Sequence, residues 1–150
     1  MTPKVSVRNG RSFVCVVLGP TGGSERRQCQ AAIVAALATR RIAYDGLALG
    51  AGGCTFVVAS ADVADLRRAL VSLNVAVRVR NECVELILPV ARFVPRETTA
   101  FVAALVARDI DIVYLATTIY GQSIVVAACE ASAALEVALT GATSASSLVA

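Results

Sequence analysis

Residues 35–58 decide the fold: they read AALATRRIAYDGLALGAGGCTFVV, and residues 103–126 repeat them as AALVARDIDIVYLATTIYGQSIVV. In both stretches an alanine-rich helix end leads through a polar turn into an apolar strand, a second turn and another apolar strand. A shift of 68 residues without a gap aligns the two stretches and carries Cys15 onto Cys83. The chain is therefore predicted to contain two copies of one structural unit.

The first copy is predicted to span residues 11–81. Its first helix is marked by Cys29, Ile33 and Leu37, which recur at every fourth position and so share one face. Its second helix begins at Asp62, whose carboxylate suits the first N–H groups of a helix. The expected elements are a strand at 13–18, a glycine-rich loop at 19–25, a helix at 26–39, strands at 42–49 and 54–59, a helix from Asp62, and a strand at 75–79.

The second copy is predicted to span residues 82–140 and to lack a fourth strand of its own. We expect the short alternating segment 4–7, within an N-terminal piece of residues 1–10, to supply that strand, which would interleave the two copies. Residues 141–150 are mostly small and polar and are expected to form a disordered tail. The expected elements are a strand at 83–89, a loop at 90–96, a helix at 97–107, strands at 110–117 and 122–129, and a helix at 130–139.

The order β-α-β-β-α-β predicts the fold class. It gives an α+β protein of two ferredoxin-like modules, in which antiparallel sheets carry their helices on one face. Hydrophobic residues make up 57% of only 150 residues, more than so short a chain can bury. The open sheet face is therefore expected to meet a partner, most simply in a homodimer.

Composition excludes several kinds of function. The chain has no histidine, so histidine-based nucleophilic catalysis is excluded and a zinc site would need thiolates or carboxylates. Its five cysteines show no CxxC spacing and are interpreted as small buried residues of a cytoplasmic protein. A carboxylate pair is conceivable at Glu82 and Glu85, but the two residues are expected on opposite faces of one strand. No metal, cofactor or catalytic residue is predicted.

Nucleic acid and membrane are excluded as partners. The net charge is only +3, and the arginines at 78, 80, 92 and 96 have no alternating aromatic residues on which bases could stack. The uncharged run at residues 112–129 is long enough to cross a membrane, but its centre, Thr117 to Ser123, has the composition of a turn. Two strands fit this run better than a spanning helix.

These features resemble the regulatory half of aspartate kinases, which carries two interleaved ACT domains. The segment from Ala36 to Asp45 is similar to the family's helix, turn and Ile-x-x-Asp start of the second strand, and Thr55 to Val58 is similar to its third strand. The run from Leu105 to Val126 resembles the family's last ACT unit. The resemblance covers about residues 4 to 140 and implies a regulatory role rather than an enzyme.

The resemblance also implies an amino acid effector. In such families the loop after the first strand and the head of the first helix donate backbone N–H groups to its carboxylate, and a polar side chain of the second strand holds its ammonium group. By position this implicates Asp45 for the ammonium group. The remaining candidates are Gly19, Pro20, Thr21, Gly22 and Gly23 in the first copy and Arg92, Pro95, Arg96 and Thr117 in the second.

Departures from the family leave alternatives open. Neither Pro20 nor Pro95 is followed by the usual glycine, and Val113 stands where the first copy has Asp45, so at most one competent site per chain is expected. The loop 19–23 could instead bind phosphate or merely connect two elements, and Asp45 could pair with Arg40 or Arg41. The regulated partner could be a separate catalytic subunit. The alternative is a structural or oligomerisation protein that has kept the fold and lost the ligand.

Overall fold

A computed structural model describes residues 4–20, 22–89, 95–118 and 121–147. The chain divides into two compact units, of which the first is Gly10–Glu82 and the second joins the residues up to Asn9 with those from Cys83 onward. The elements are β1 (Ser6–Val17), α1 (Gly23–Thr39), β2 (Tyr44–Gly50), β3 (Gly53–Ala59), α2 (Val63–Leu70), β4 (Ala76–Leu88), α3 (Pro95–Ala107), β5 (Ile112–Thr118), β6 (Gly121–Ala127) and α4 (Ala131–Ser147).

The predicted fold class is confirmed in each unit. The strand order is β2-β3-β1-β4 in the first unit and β5-β6-β4-β1 in the second. The pairs β1/β3, β2/β3, β4/β6 and β5/β6 are all antiparallel. Both arrangements are those of a βαββαβ module, with β1 and β4 each divided between the two units.

Two strands are longer than predicted, because β1 and β4 each join segments that were expected to be separate strands. No proline or glycine pair interrupts either one. Each instead contains a left-handed residue near the boundary of the units: Gly10 with φ 63° in β1 and Glu82 with φ 55° in β4. Left-handed residues of this kind mark bulges, which bend a strand without ending it.

The core of the first unit lies between its sheet and the helices α1 and α2. Ile33 and Leu37 of α1 are fully buried, as are Leu66 and Leu70 of α2. The strands contribute alternate residues, since only every second side chain points toward the helices. The strand side chains of this buried cluster are Val14, Val16, Cys54, Phe56 and Val58.

The core of the second unit is built in the same way but from smaller helix residues. Leu105 of α3 is fully buried, whereas α4 contributes Ala134, Val137 and Ala138. The strand residues of this cluster are Val84, Leu86, Ile124 and Val126. Full burial of one such aliphatic side chain contributes about 1.5–3 kcal/mol, so each unit has its own stabilising core.

The gapless alignment of the copies is wrong in one place, the first strand of each copy. A residue with a Cβ at Gly53 would meet the Val16 carbonyl oxygen at 1.8 Å, and one at Gly121 would meet the Leu88 carbonyl oxygen at 2.0 Å. Gly53 and Gly121 are 68 residues apart, but Val16 and Leu88 are 72 apart. Cys15 and Cys83 are therefore not equivalent, and the residue matching Cys15 is Ile87.

The C-terminal tail also differs from its prediction. We expected the last helix to end near residue 139 and residues 141–147 to be disordered, but α4 continues to Ser147. This segment contains no proline, and alanine favours helix strongly enough to offset the single Gly141. Among the described residues, no helix combines the length and the apolar character needed to cross a membrane.

Candidate functional site

The glycine-rich loop leads directly to the N-terminus of α1. Gly22 is the N-cap, extended at φ −64° and ψ 161°, and no side chain caps the helix there. The first backbone bond of the helix runs from the Arg26 N–H to the Gly22 carbonyl oxygen at 3.0 Å. The N–H groups of the preceding turn therefore lack helical partners, and they lie at the positive end of the dipole of a 17-residue helix.

The predicted residues of this loop are accessible. Gly19, Pro20, Gly22 and Gly23 are all exposed, and Thr21 lies outside the described residues. Nothing lies within 4 Å of a Cβ placed at Gly19 or Gly22. The open space and the N–H groups of the helix end together suit a small anion such as a carboxylate.

Asp45 lies on β2 and pairs with Arg11 of β1, which was not among its expected partners. Its Oδ2 atom is 2.5 Å from the guanidinium of Arg11, whose side chain is 13% exposed against 29% for Asp45. The expected partners were Arg40 or Arg41, but Arg40 lies 3.2 Å from Asp65 of α2. The correction follows from register, since β1 and β2 both pair with β3. An ammonium group at Asp45 would have to share this carboxylate with Arg11.

The candidates of the second copy lie on separate elements. Pro95 is the first residue of α3, Arg96 is exposed in the first turn of that helix, and Thr117 is exposed on β5 opposite Gln122. Arg92 lies outside the described residues. Val113 aligns with Asp45 in sequence, but by strand pairing Tyr114 stands opposite Val125 where Asp45 stands opposite Val57.

Sequence reasoning missed a cavity of about 300 Å³ in the first unit. Its floor is a row of three cross-strand neighbours, Cys15 on β1, Thr55 on β3 and Ala48 on β2. Glycines of the β2–β3 hairpin, including Gly50 and Gly53, complete the lining. The glycine cluster 50–53 predicted the hairpin, but nothing in the sequence placed Cys15 beside it.

Two hydrogen bonds tie this hairpin to the beginning of the glycine-rich loop and to α1. The Leu18 N–H donates to the Gly52 carbonyl oxygen at 2.9 Å, and the Gln30 side-chain amide donates to the Gly50 carbonyl oxygen at 2.9 Å. Leu18 directly precedes the loop. The cavity and the α1 N-terminus therefore lie at the same end of the first unit.

The Cys54 thiol, which lies in the lining of the cavity, is a poor nucleophile at neutral pH. Burial raises the pKa of the Cys54 thiol to about 11, with smaller contributions from Cys15 and Cys29, so this thiol stays protonated at neutral pH. Cys54 and Cys83 are buried, as predicted for the cysteines, but Cys129 is exposed because it lies in the turn before α4. Within the described ranges, no group of three or more potential ligands could hold a metal ion.

A buried carboxylate lies in the second unit. Glu85 of β4 is 1% exposed; its Oε1 atom accepts a hydrogen bond of 2.5 Å from the Ser123 hydroxyl, and its Oε2 atom lies 3.8 Å from the Arg8 guanidinium. The register of β4 and β6 makes Glu85 the counterpart of Phe13, so the first unit has no equivalent of this arrangement. Glu82, in contrast, is exposed.

Solved structures with the same fold are regulatory domains of aspartate kinase. A C-terminal regulatory domain from Porphyromonas gingivalis is 16% identical, with a TM-score of 0.73 over 92% of this chain and 95% of that one. The ligand-free regulatory subunit from Thermus thermophilus is 17% identical, with a TM-score of 0.74 over 94% of this chain and 99% of that one. No family model and no curated protein sequence matches the chain.

A whole enzyme contains the same fold as one part. E. coli aspartokinase III in complex with lysine and aspartate is 14% identical, with a TM-score of 0.66 over 93% of this chain and 33% of that one. The predicted resemblance is thus confirmed at the level of fold: each unit is a βαββαβ module, and the solved structures that share this fold over most of the chain are regulatory domains of aspartate kinase.

Proposed function

We propose that this chain is a regulatory module that binds an amino acid effector and passes the signal to a partner, either a second copy of itself or a catalytic subunit. The observation that carries the proposal is the open N-terminus of α1, with Gly22 as its N-cap and exposed glycines before it. Support comes from the fold, because the matched proteins include a regulatory subunit and an aspartokinase bound to amino acids.

The helix end can recognise the carboxylate that all amino acid effectors share. Free N–H groups and the helix dipole both favour negative charge there. The glycines leave the approach open, because among the described residues no atom other than those of the chain neighbours lies within 4 Å of a Cβ placed at Gly19 or Gly22. The second unit begins α3 with Pro95 and Arg96 instead, so we propose one site per chain, in the first unit.

A thermal-shift screen of the twenty amino acids tests the proposal. A ligand that binds only the folded protein stabilises it by about 2.7 kcal/mol at a hundred times its Kd. We therefore expect the melting temperature to rise with concentration for at least one amino acid, and the corresponding amide without a carboxylate to have no effect. A flat response to all twenty would contradict the proposal.

Substitutions at Gly22 locate the site. In Gly22→Asp the new carboxylate caps the helix, which stabilises it by up to about 1 kcal/mol, while it occupies the N–H groups and repels the effector. We expect this variant to melt higher and to lose the ligand response. Gly22→Ala is the matched control: it adds a Cβ without an acceptor and keeps the response. Equal binding by both variants would place the effector elsewhere.

The second candidate function is assembly without a ligand. It is favoured by an apolar depression on the outer side of α1, lined by Ala31, Val34, Ala35 and Ala38 together with Leu49, which is 53% exposed. Light scattering of the wild type and of Leu49→Glu tests this alternative together with the amino acid screen. If both proteins form a stable oligomer and no amino acid raises the melting temperature, the chain is a scaffold that assembles through another surface. Loss of the oligomer in that variant would select the surface itself.

A further inference from the structure

Two thiols of the first unit lie on the helix-covered side of the sheet. Cys54 of β3 is 2% exposed and pairs with Val16 across the strands, and both side chains belong to the buried cluster beneath the helices. Cys29 of α1 packs against the same cluster. Cys15 does not share this arrangement, because it neighbours Val16 on β1 and therefore points to the opposite face of the sheet.

Helix α1 and strand β3 run in the same direction and begin at the same end of the unit. At that end the Leu18 N–H, just before the loop that leads into α1, donates to the carbonyl oxygen of Gly52, the residue before β3. At the other end the chain leaves α1 and enters β2 at Tyr44, which pairs with Val58 near the end of β3. The core residues of the two elements can therefore be matched level by level.

The two thiols lie at the same level of the core. Four residues of a helix rise about 6.0 Å and two residues of a strand about 6.6–6.8 Å, so core residues of α1 and β3 stay in step. Gln30, next to Cys29, donates its side-chain amide to the Gly50 carbonyl oxygen at 2.9 Å. Gly50 pairs with Gly53, which directly precedes Cys54. The successive levels are Cys29 with Cys54, Ile33 with Phe56, and Leu37 with Val58.

The electrostatics of Cys54 agree with this placement. Burial is the main cause of its raised pKa, and Cys15 and Cys29 add to it. Coulombic contributions fall with distance, so both thiols lie close to Cys54. Cys15 reaches it from the other face of the sheet, which leaves Cys29 as the neighbour within the core.

The second unit has other residues at the matching positions. The repeat of 68 carries Cys29 onto Glu97, which is exposed in the first turn of α3, and Cys54 onto Gln122, which is 4% exposed on β6. Neither side chain is a thiol. Among these matched positions the thiol pair therefore belongs to the first unit alone.

We propose that Cys29 and Cys54 are a redox-active pair, which under oxidising conditions forms a disulfide that fastens α1 to β3. The oxidant is a low-molecular-weight disulfide such as oxidised glutathione. The half-buried Cys29 attacks one of its sulfurs as the thiolate, which forms a mixed disulfide and releases one glutathione thiolate. Cys54 then attacks the Cys29 sulfur, which closes the protein disulfide and releases the second glutathione thiolate. Two protein thiols are oxidised, one glutathione disulfide is reduced, and the two thiol protons pass through water to the two glutathione thiolates.

The second step is the slow one. Cys54 is mostly protonated at neutral pH, and the thiolate is the attacking species. Within the mixed disulfide, however, this thiol is held beside the sulfur that it attacks, and such proximity raises the effective concentration by several powers of ten. We therefore expect the link to form over minutes to hours. It forms whether or not the chain binds an amino acid, so its test is independent of the effector screen.

Peptide mapping of the folded protein after incubation with oxidised glutathione tests the pair. Cleavage after arginine places each of the five cysteines in a different peptide. The expected product joins peptide 28–40, which contains Cys29, to peptide 42–67, which contains Cys54. It carries no glutathione and separates on reduction with dithiothreitol. A link between any other two cysteines, or glutathione that remains on Cys29, would overturn the proposal.

Melting of the oxidised and reduced protein is the second test. The link constrains the unfolded chain, so we expect the oxidised form to melt about 5–10 °C higher. Cys29→Ser should abolish this shift, and Cys54→Ala provides the same comparison if circular dichroism shows that Cys29→Ser does not fold. Cys129→Ser is the matched control, because Cys129 is exposed and lies in the other unit, and it should keep the shift. An equal shift in Cys29→Ser and the wild type would contradict the proposal.

Discussion

The two units differ most at the corner where the first strand passes into the first helix. In Gly10–Glu82 this corner is a glycine-rich loop, an uncapped helix and a cavity above Cys15. In the second unit the strand β4 extends to Leu88, Pro95 and Arg96 lie in the first turn of α3, and Ile87 occupies the position of Cys15. The two copies of one fold thus differ in the side chains at this corner, where the first copy has Cys15 and the second has the larger Ile87.

Away from this corner the copies agree closely. Arg41 and Asp109 are both left-handed after the first helix, with φ 54° and 57°. The N–H groups of Ile42 and Ile110 each donate to a leucine carbonyl oxygen at 3.0 Å. The common turn indicates that the helix-to-strand passage is under structural constraint, whereas the strand-to-helix corner is the part that has diverged.

The largest loss of stability is expected at the glycine that begins β3 in the first unit and β6 in the second. Gly53→Ala and Gly121→Ala each place a Cβ about 2 Å from a carbonyl oxygen of the paired strand, at a φ of 151° and 134° respectively. Strain of the backbone and displacement of the strand together are expected to cost about 4 kcal/mol in each unit. Urea denaturation measures the loss.

Gly52→Ala is the control for this pair, because nothing lies within 4 Å of its Cβ. We expect it to change the free energy of unfolding by less than about 1 kcal/mol. A small loss of stability at Gly53 combined with a large one at Gly121 would show that the two units do not share this close contact between glycine and paired strand.

The second prediction compares the helices that follow the hairpins. Leu66 of α2 is fully buried, and its counterpart in α4 is the equally buried Ala134. Leu66→Ala should therefore destabilise the first unit by about 2–4 kcal/mol through the cavity that it leaves, and Ala134→Leu should cost about 1–3 kcal/mol through overpacking. Thermal and urea unfolding report both.

Val71→Ala is the matched control, since Val71 is 80% exposed and little burial is lost with it. If Ala134→Leu stabilised the protein, the two helix positions would not be packed alike, and the comparison of the two cores would fail.

The sequence predicted the elements because their signals are local. The four-residue spacing in α1 and the paired turns before β2 and β5 are visible in one dimension, and the fold class followed from them. The four-residue slip of β4 against β1 was not visible, because a shift by an even number of residues leaves the alternation of side chains between the two faces of a strand unchanged. Register is determined by pairing, and here the positions of Gly53 and Gly121 reveal it.

The same distinction separates the parts of the site. The loop 19–23 was predicted from its glycines, and its described residues are exposed. The pair of Arg11 with Asp45 and the row of Cys15, Thr55 and Ala48 join residues on different strands, so they required the register of three strands at once. Contacts of this kind are the ones that a single sequence leaves undetermined.

The third prediction uses pH to separate the units. The pKa of Cys54 is raised from 9.0 to about 11 in the folded protein, and the matching position in the second unit is Gln122, which does not titrate. Between pH 9 and 11 the unfolded chain releases this proton while the folded chain keeps it. The contribution of Cys54 to the free energy of unfolding is therefore fully present below pH 9. It is lost as the pH rises toward 11, by at most about 3 kcal/mol.

Urea denaturation at pH 8, 9, 10 and 11 tests this, with Cys54→Ala as the comparison. The variant is less stable at every pH but should lack the added loss between pH 9 and 11. Parallel curves for the two proteins would show that Cys54 does not cause the loss.

The smallest effect is expected at the pair of Arg11 and Asp45, for which the second unit has Cys83 and, at the position aligned in sequence, Val113. Asp45→Val leaves the 13%-exposed Arg11 guanidinium without its 2.5 Å contact and should cost about 1 kcal/mol, since both side chains keep some access to water. Adding Arg11→Cys copies the second unit and should recover part of that loss, because no guanidinium then remains to be paired. A double-mutant cycle in urea measures the coupling. A coupling energy of zero would mean that Arg11 and Asp45 are neighbours without mutual stabilisation, and that the two units differ at this place in sequence but not in energy.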